Sequence, residues 1–140
     1  MKVTPIVERI ESGIRDFRKV DGLDGLAALD DQSFVPPAVF VSPLAESAQD
    51  NSRAGGGATR QVVTVTFAIV VVIAGQARHG VVVNEQLDDL TRAVKERLRG
   101  WVVPGASSET IYRRGKLLRA AGGQIAWQMD FEYRQQELSP

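Results

Sequence analysis

The chain has no cysteine. That excludes a disulfide scaffold, thiol catalysis and cysteine-ligated zinc, and it fits assembly in a reducing cytoplasm. A single histidine, His79, stands between Arg78 and Gly80, so no multi-histidine metal site can be built. In that turn it reads as a solvated loop residue. Charge of either sign is also not in excess. Seventeen basic and seventeen acidic residues cancel, leaving no global field to attract nucleic acid or acidic ligands. Nor is there a membrane-spanning run. The most apolar stretch, RQVVTVTFAIVVVIAGQ at 60–76, is closed by Arg60 on one side and Gln76 and Arg78 on the other, short of the about 20 apolar residues a crossing helix needs. The N-terminus, MKVTPIVERIESGIRDF, is studded with charge and is not a signal peptide. These absences point to a protein that buries its apolar residues against protein, with no membrane partner.

At 140 residues the expectation is one domain over 1–140, with chain enough for a single core. TPIVERIESGIRDFRKV reads as an amphipathic helix, with Thr4 as N-cap, Pro5 at the first helical position and Ile6, Ile10, Ile14 and Phe17 on one stripe. Turn signals follow at Asp21-Gly22 and Asp24-Gly25, and residues 26–29 fit either a short helical turn or an edge strand. PPAVFVSPLAES predicts a short edge strand opened by Pro36 and Pro37 and stopped by Pro43. Residues 46–58, ESAQDNSRAGGGA, are expected to be a flexible loop.

In the apolar run, Val63, Val65, Phe67, Ile69, Val71 and Ile73 share one parity, which predicts a strand with one face buried throughout. The other parity starts semi-polar and ends apolar. About 45 Å of strand at roughly 3.3 Å per residue exceeds a compact domain of this size, so part of it is expected to be covered by another chain. VVVNEQLDDLTRAVKERLRGW predicts a second amphipathic helix, with Leu87, Leu90, Val94 and Leu98 inward, Asn84 as candidate N-cap and Gly100 as stop. TIYRRGKLLRA and GQIAWQMDFEY predict a hairpin turned at Gly122-Gly123, its last strand core on one face and wet on the other. The fold class is α+β, two helices on one face of a mostly antiparallel sheet.

No nucleophile, base and orienting group converge, so the sequence predicts no enzyme, no cofactor and no metal. GGGATR lacks the phosphate-loop pattern and precedes a strand. The acidic pairs Asp30-Asp31 and Asp88-Asp89 lack metal-loop spacing. Tyr112, Arg113, Arg114 and Lys116 form the densest basic cluster, whose simplest reading is a solvated strand face. Trp101 and Trp127 follow apolar stripes and read as core anchors.

The order of these elements, with the close Leu98, Gly100, Trp101, Pro104, Gly115, Leu117, Trp127 and Phe131, resembles the tail terminator proteins of long-tailed phages, especially the Mu-like prophage type. The resemblance covers nearly the whole chain. It implies a structural virion protein at the head-proximal end of the tail, assembled in the host cytoplasm. Its expected form is a homohexameric ring that caps the tail tube, stops tube polymerisation and offers the surface to which the neck joins. The partners implied are further copies of the chain, the tail tube protein and a neck or head-completion protein, with the sheath as a further candidate. DNA would pass through the channel without specific binding. On this reading Arg60, Val63, Val65, Phe67 and Ile69 are candidates for the subunit interface. Arg53, Arg78, His79, Tyr112, Arg113, Arg114 and Lys116 are candidates for tube or neck contact. Two alternatives share the layout: another neck or tail-completion protein, and a non-viral α+β small-molecule-binding or enzyme subunit.

Overall fold

The computed structural model describes residues 1–22, 34–49, 59–75 and 80–139. Among these, the chain runs α1 (Thr4–Gly13), β1 (Lys19–Asp21), β2 (Ala38–Ala48), β3 (Thr59–Ala74), α2 (Gly80–Leu98), β4 (Ile111–Ala121) and β5 (Gln124–Ser139). The strands form one sheet in the order β1-β2-β3-β5-β4. Only β1 and β2 are parallel; the other pairs are antiparallel. The fold is therefore α+β, as the sequence predicts. Asp24-Gly25, residues 26–29, Asp30-Asp31 and the GGG segment lie outside the described residues.

The core forms where the apolar parity of β3 meets both helices. Val63, Val65, Phe67, Ile69, Val71 and Ile73 are all buried, together with Ile6 and Ile10 of α1, Leu90, Val94 and Leu98 of α2, and Met129, Phe131 and Tyr133 of β5. Phe67 stacks on Phe131 with ring centroids 5.6 Å apart. The second parity of β3 has its own smaller cluster, in which Val70 and Val72 join Phe34, Ala38, Phe40 and Ala126. That cluster is why the strand turns apolar on both faces toward its end. It also corrects the expectation that the far face of the last strand is wet, because Ala126 and Asp130 on that parity are buried.

The length of β3 is accommodated within the chain. All sixteen residues of β3 pair with β5, from Thr59 opposite Ser139 to Ala74 opposite Gln124. β2 covers the other side from Val63 to Val72. The neighbouring chain expected on grounds of strand length is not needed, since β5 continues as a ladder through its polar end, RQQELS. Backbone hydrogen bonds need no apolar side chain to form.

Local boundaries differ from the sequence reading in physically intelligible ways. Val3, not Thr4, stands at the N-cap of α1, with no side-chain cap; the Val3 carbonyl accepts from the amides of Ile6 and Val7 at 3.0 and 2.9 Å. The helix ends at Gly13 because Ile14 is extended (φ −131°, ψ 114°), although Ile14 and Phe17 still pack on the core. β2 runs through Pro43 to Ala48 instead of stopping there, with a register shift between Pro43 and Ala45. Residues 46–48 of the expected loop are thus strand, and 50–58 lie outside the described residues. α2 begins four residues before Asn84, which is consequently inside the helix. Its end is as expected, with Gly100 at φ +80°, the left-handed value that favours glycine after a helix. The hairpin turn also stands: Gly122 and Gly123 have φ of 63° and 75°, the pair of positive values a tight two-residue turn requires.

Candidate functional site

β4 is the outermost strand of the sheet, and its basic cluster is shaped by irregular pairing. Tyr112 opposes Phe131 while Arg114 opposes Asp130, so Arg113 is an extra residue in a bulge. The bulge turns two consecutive arginines to the face away from the helices. There Arg113 Nη2 pairs with the Glu132 carboxylate, and Arg114 Nε donates to Asp130 Oδ2 at 2.8 Å. Gln128 Nε2 donates to the other Asp130 oxygen at 2.8 Å. The Asp130 side chain is only 5% exposed, so these donors satisfy a carboxylate that would otherwise be costly to bury. Arg113 and Arg114 are exposed, as the reading of a solvated strand face expects, and each in addition pairs with a β5 carboxylate. Lys116 is exposed, and no carboxylate pairs with it among the described residues.

Tyr112 points the other way. Its ring lies 5.4 Å from Phe131 and carries the Lys95 ammonium at 4.5 Å from the centroid. Burial, then the Asp130 charge, raise its phenol above the ordinary value. Gly115 leaves room for this arrangement, since a Cβ there would come within 2.6 Å of the Tyr112 hydroxyl and 2.8 Å of Trp127 Nε1. Trp101 and Trp127 both pack against the core as expected.

The interface candidates fall in a different place from the contact candidates. Val65, Phe67 and Ile69 are fully buried and Val63 is nearly so, all inside the chain's own core. Their burial is explained without a neighbour. Arg60 is exposed at the start of β3. Arg53, Arg78 and His79 lie outside the described residues.

Two arginines far apart in sequence meet where the helices touch. Arg9 Nε donates to the Arg97 carbonyl at 3.1 Å, and Arg97 Nε donates to the Arg9 carbonyl at 2.8 Å. Arg97 Nη2 also reaches Ser12 Oγ at 3.2 Å, and the Arg9 guanidinium lies 5.2 Å from the Trp101 ring centroid. Desolvation, then the nearby Arg97 charge, lower the Arg9 pKa from its usual value. Sequence reasoning missed this pair. Eighty-eight positions separate the two residues, and the one local hint is Gly13, whose Cβ would sit 2.1 Å from Arg97 Nε.

Among the described residues no group of three or more histidine, aspartate or glutamate side chains is placed to hold a metal. No helix is long and apolar enough to cross a membrane. The cleft between α2 and the hairpin, about 570 Å³, is walled by Val83, Leu87, Leu117, Ile125 and Trp127. The described residues put no nucleophile–base pair there.

Compared with known families, residues 1–137 match the sequence model of the phage tail terminator protein family. The chain belongs to that family. Tail terminators are structural components of the phage tail, so the protein is a structural virion protein and not an enzyme. The missing catalytic constellation then needs no further explanation, and the features to account for in this terminator are its surfaces. No curated protein matches the chain.

Proposed function

We propose that the protein assembles as a homohexameric ring on the finished tail tube, blocks further addition of tube subunits and presents its opposite face to the neck. The observation that carries this reading is the family match over residues 1–137. The length of β3, satisfied inside the chain, no longer contributes to it.

A ring closes through heterologous contacts, one surface of each copy meeting a different surface of the next. Arg60 is the exposed member of the interface candidates. The proposed tube and neck contacts are the outward face of β4, where Lys116 is exposed, and the segments bearing Arg53, Arg78 and His79. Exposed ion pairs contribute only about 0–1 kcal/mol each, so sixfold repetition supplies the affinity by avidity. A formal charge of zero suits a channel that lets DNA pass without gripping it.

The test is tail morphology in a phage from which this protein is deleted, read by electron microscopy with and without complementation. Tubes of uncontrolled length, or tails that never join heads, are the expected outcome. Normal infectious particles from the deletion would refute the assignment.

A further inference from the structure

The outward face of β4 presents cations whose counter-charges lie beneath them. Ile111, Arg114, Lys116 and Arg119 oppose Glu132, Asp130, Gln128 and Ala126, every second residue of β5, so the four share one face of the sheet. The two bulges add the unopposed residues Arg113 and Leu118 to this row. Arg113 and Arg114 are 53% and 69% exposed, whereas their partners Glu132 and Asp130 are 15% and 5% exposed. The carboxylates order the guanidinium groups from below, and solvent meets the positive side of each pair. Lys116 is exposed beside them, with no carboxylate in ion-pair distance among the described residues. Arg119 is engaged in an interaction of its own and is left out of the sum. Three cations over two carboxylates leave the face positive. Glu109 and Arg134, both exposed at the Ile111 end, are opposite in sign and do not change that.

Side chains held in this way suit the carboxylates of another protein. Each guanidinium is tied through one nitrogen, Nη2 in Arg113 and Nε in Arg114, and the planar fork keeps further N–H donors for a second acceptor. Already ordered, it loses little freedom on contact. Ile111 and Leu118 in the same row are exposed large apolar residues. Arginine interleaved with apolar side chains is the composition of a protein contact, whereas sequence-independent nucleic-acid binding is carried by phosphate charge. A second copy of the chain does not offer the matching acidic surface. Around α1, Glu8 and Glu11 alternate with Arg9 and Arg15, and on α2 Glu85, Asp89 and Glu96 share their face with Arg92 and Arg99. Glu46 is held by the Met1 amine at 3.5 Å. The partner is a different protein, and the one that the family match implies is the tail tube.

We infer that the outward face of β4 seats an acidic surface at the end of the tail tube. Arg113, Arg114 and Lys116 donate to its carboxylates, and Ile111 and Leu118 cover its apolar groups. This contact rests on the terminator reading and adds to it the chemistry of the partner: carboxylates with apolar side chains between them. Glu132 and Asp130 are positioning residues, which hold the arginines without touching the tube.

The experiment measures co-sedimentation of the purified protein with tail tubes isolated from the deletion phage, at low and at moderate salt. It compares the wild type with K116E, L118S and the charge-preserving K116R, each checked for folding by circular dichroism. The wild type is expected to bind, and to bind less well as salt rises. K116E, altered at an exposed position, is expected to fold and to bind tubes roughly tenfold more weakly, because a small loss per copy is multiplied around the assembly. L118S is expected to weaken binding at both salt concentrations, and K116R to bind as the wild type does. K116E and L118S that bind tubes as the wild type does overturn the contact and leave the terminator reading standing. A wild type that does not bind tubes overturns that reading and the contact with it. Two further probes separate the other occupants: tailless heads that carry necks, and duplex DNA of random sequence. A loss in K116E confined to the heads moves the contact to the neck, and a loss confined to the duplex assigns the face to nucleic acid; either overturns the inference. Should K116E not fold, K116Q, which removes only the charge, is put through the same assay, and unchanged binding to tubes again overturns the contact.

Discussion

Replacing Phe67 by alanine separates a residue that stabilises the subunit from one that joins subunits. Phe67 is fully buried, stacked on Phe131 at 5.6 Å and tilted against Tyr133 at 6.0 Å. Removing a phenylalanine from such a site costs about 3–5 kcal/mol, combining lost transfer energy and the cavity left behind. Against a typical total of about 5–15 kcal/mol that is a large fraction. With an unfolding entropy near 2.1 cal/mol/K per residue, 140 residues give about 0.3 kcal/mol/K, so the melting temperature should fall by roughly 10–17 °C. The assay is urea and thermal unfolding at two protein concentrations, the lower one chosen so that the protein is dissociated. Because every partner of Phe67 belongs to the same chain, the loss should be the same at both. A loss that appears only in the associated protein, or one below about 1 kcal/mol in dissociated subunits, would refute the placement of this residue in the subunit core.

On β4, Arg114→Glu should destabilise the subunit by about 1–3 kcal/mol, since it leaves the buried Asp130 without its charged donor, whereas Lys116→Glu should leave stability within about 0.5 kcal/mol. Urea midpoints check both, and equal effects would contradict the ion-pair assignment. At alkaline pH, Tyr133 should contribute a loss of stability. Burial, then the Glu46 charge, raise its phenol pKa in the folded state. That contribution is complete below the unfolded value of about 10 and disappears as pH rises through the folded value. The wild type should therefore lose stability relative to Tyr133→Phe as pH rises through that range, and parallel profiles would count against the burial argument.

Much of the architecture is legible in the sequence because side-chain parity reports burial directly. The six apolar positions of β3, the Leu87–Leu98 stripe and the Gly122-Gly123 turn all follow from periodicity and turn chemistry. What is not legible depends on pairing. RQQELS gives no strand signal, yet it forms the last six of the sixteen pairs in the ladder that covers β3. Pro43 reads as a stop, but the register shift beside it lets β2 continue. Strict alternation would send Arg113 and Arg114 to opposite faces, and only the bulge brings them to one. The clasp between Arg9 and Arg97 exists because two helices meet, and neither helix encodes it alone.

The irregular pairings along the two outer margins of the sheet have a consequence for a protein that ends a polymer. A straight outer strand offers a row of unpaired amides and carbonyls on which another strand can be laid down. β4 interrupts that row twice, between Tyr112 and Arg114 and again between Leu117 and Arg119, and lines it with cations. On the opposite margin β1 shields only Ala38–Phe40, and the stretch of β2 beyond it carries Pro43, which lacks an amide hydrogen, and its own register shift. Neither margin is a template for an added strand. Sheet-to-sheet growth is discouraged at both ends of the molecule, and contacts between copies are left to side chains on its faces, where a fixed geometry can close and stop.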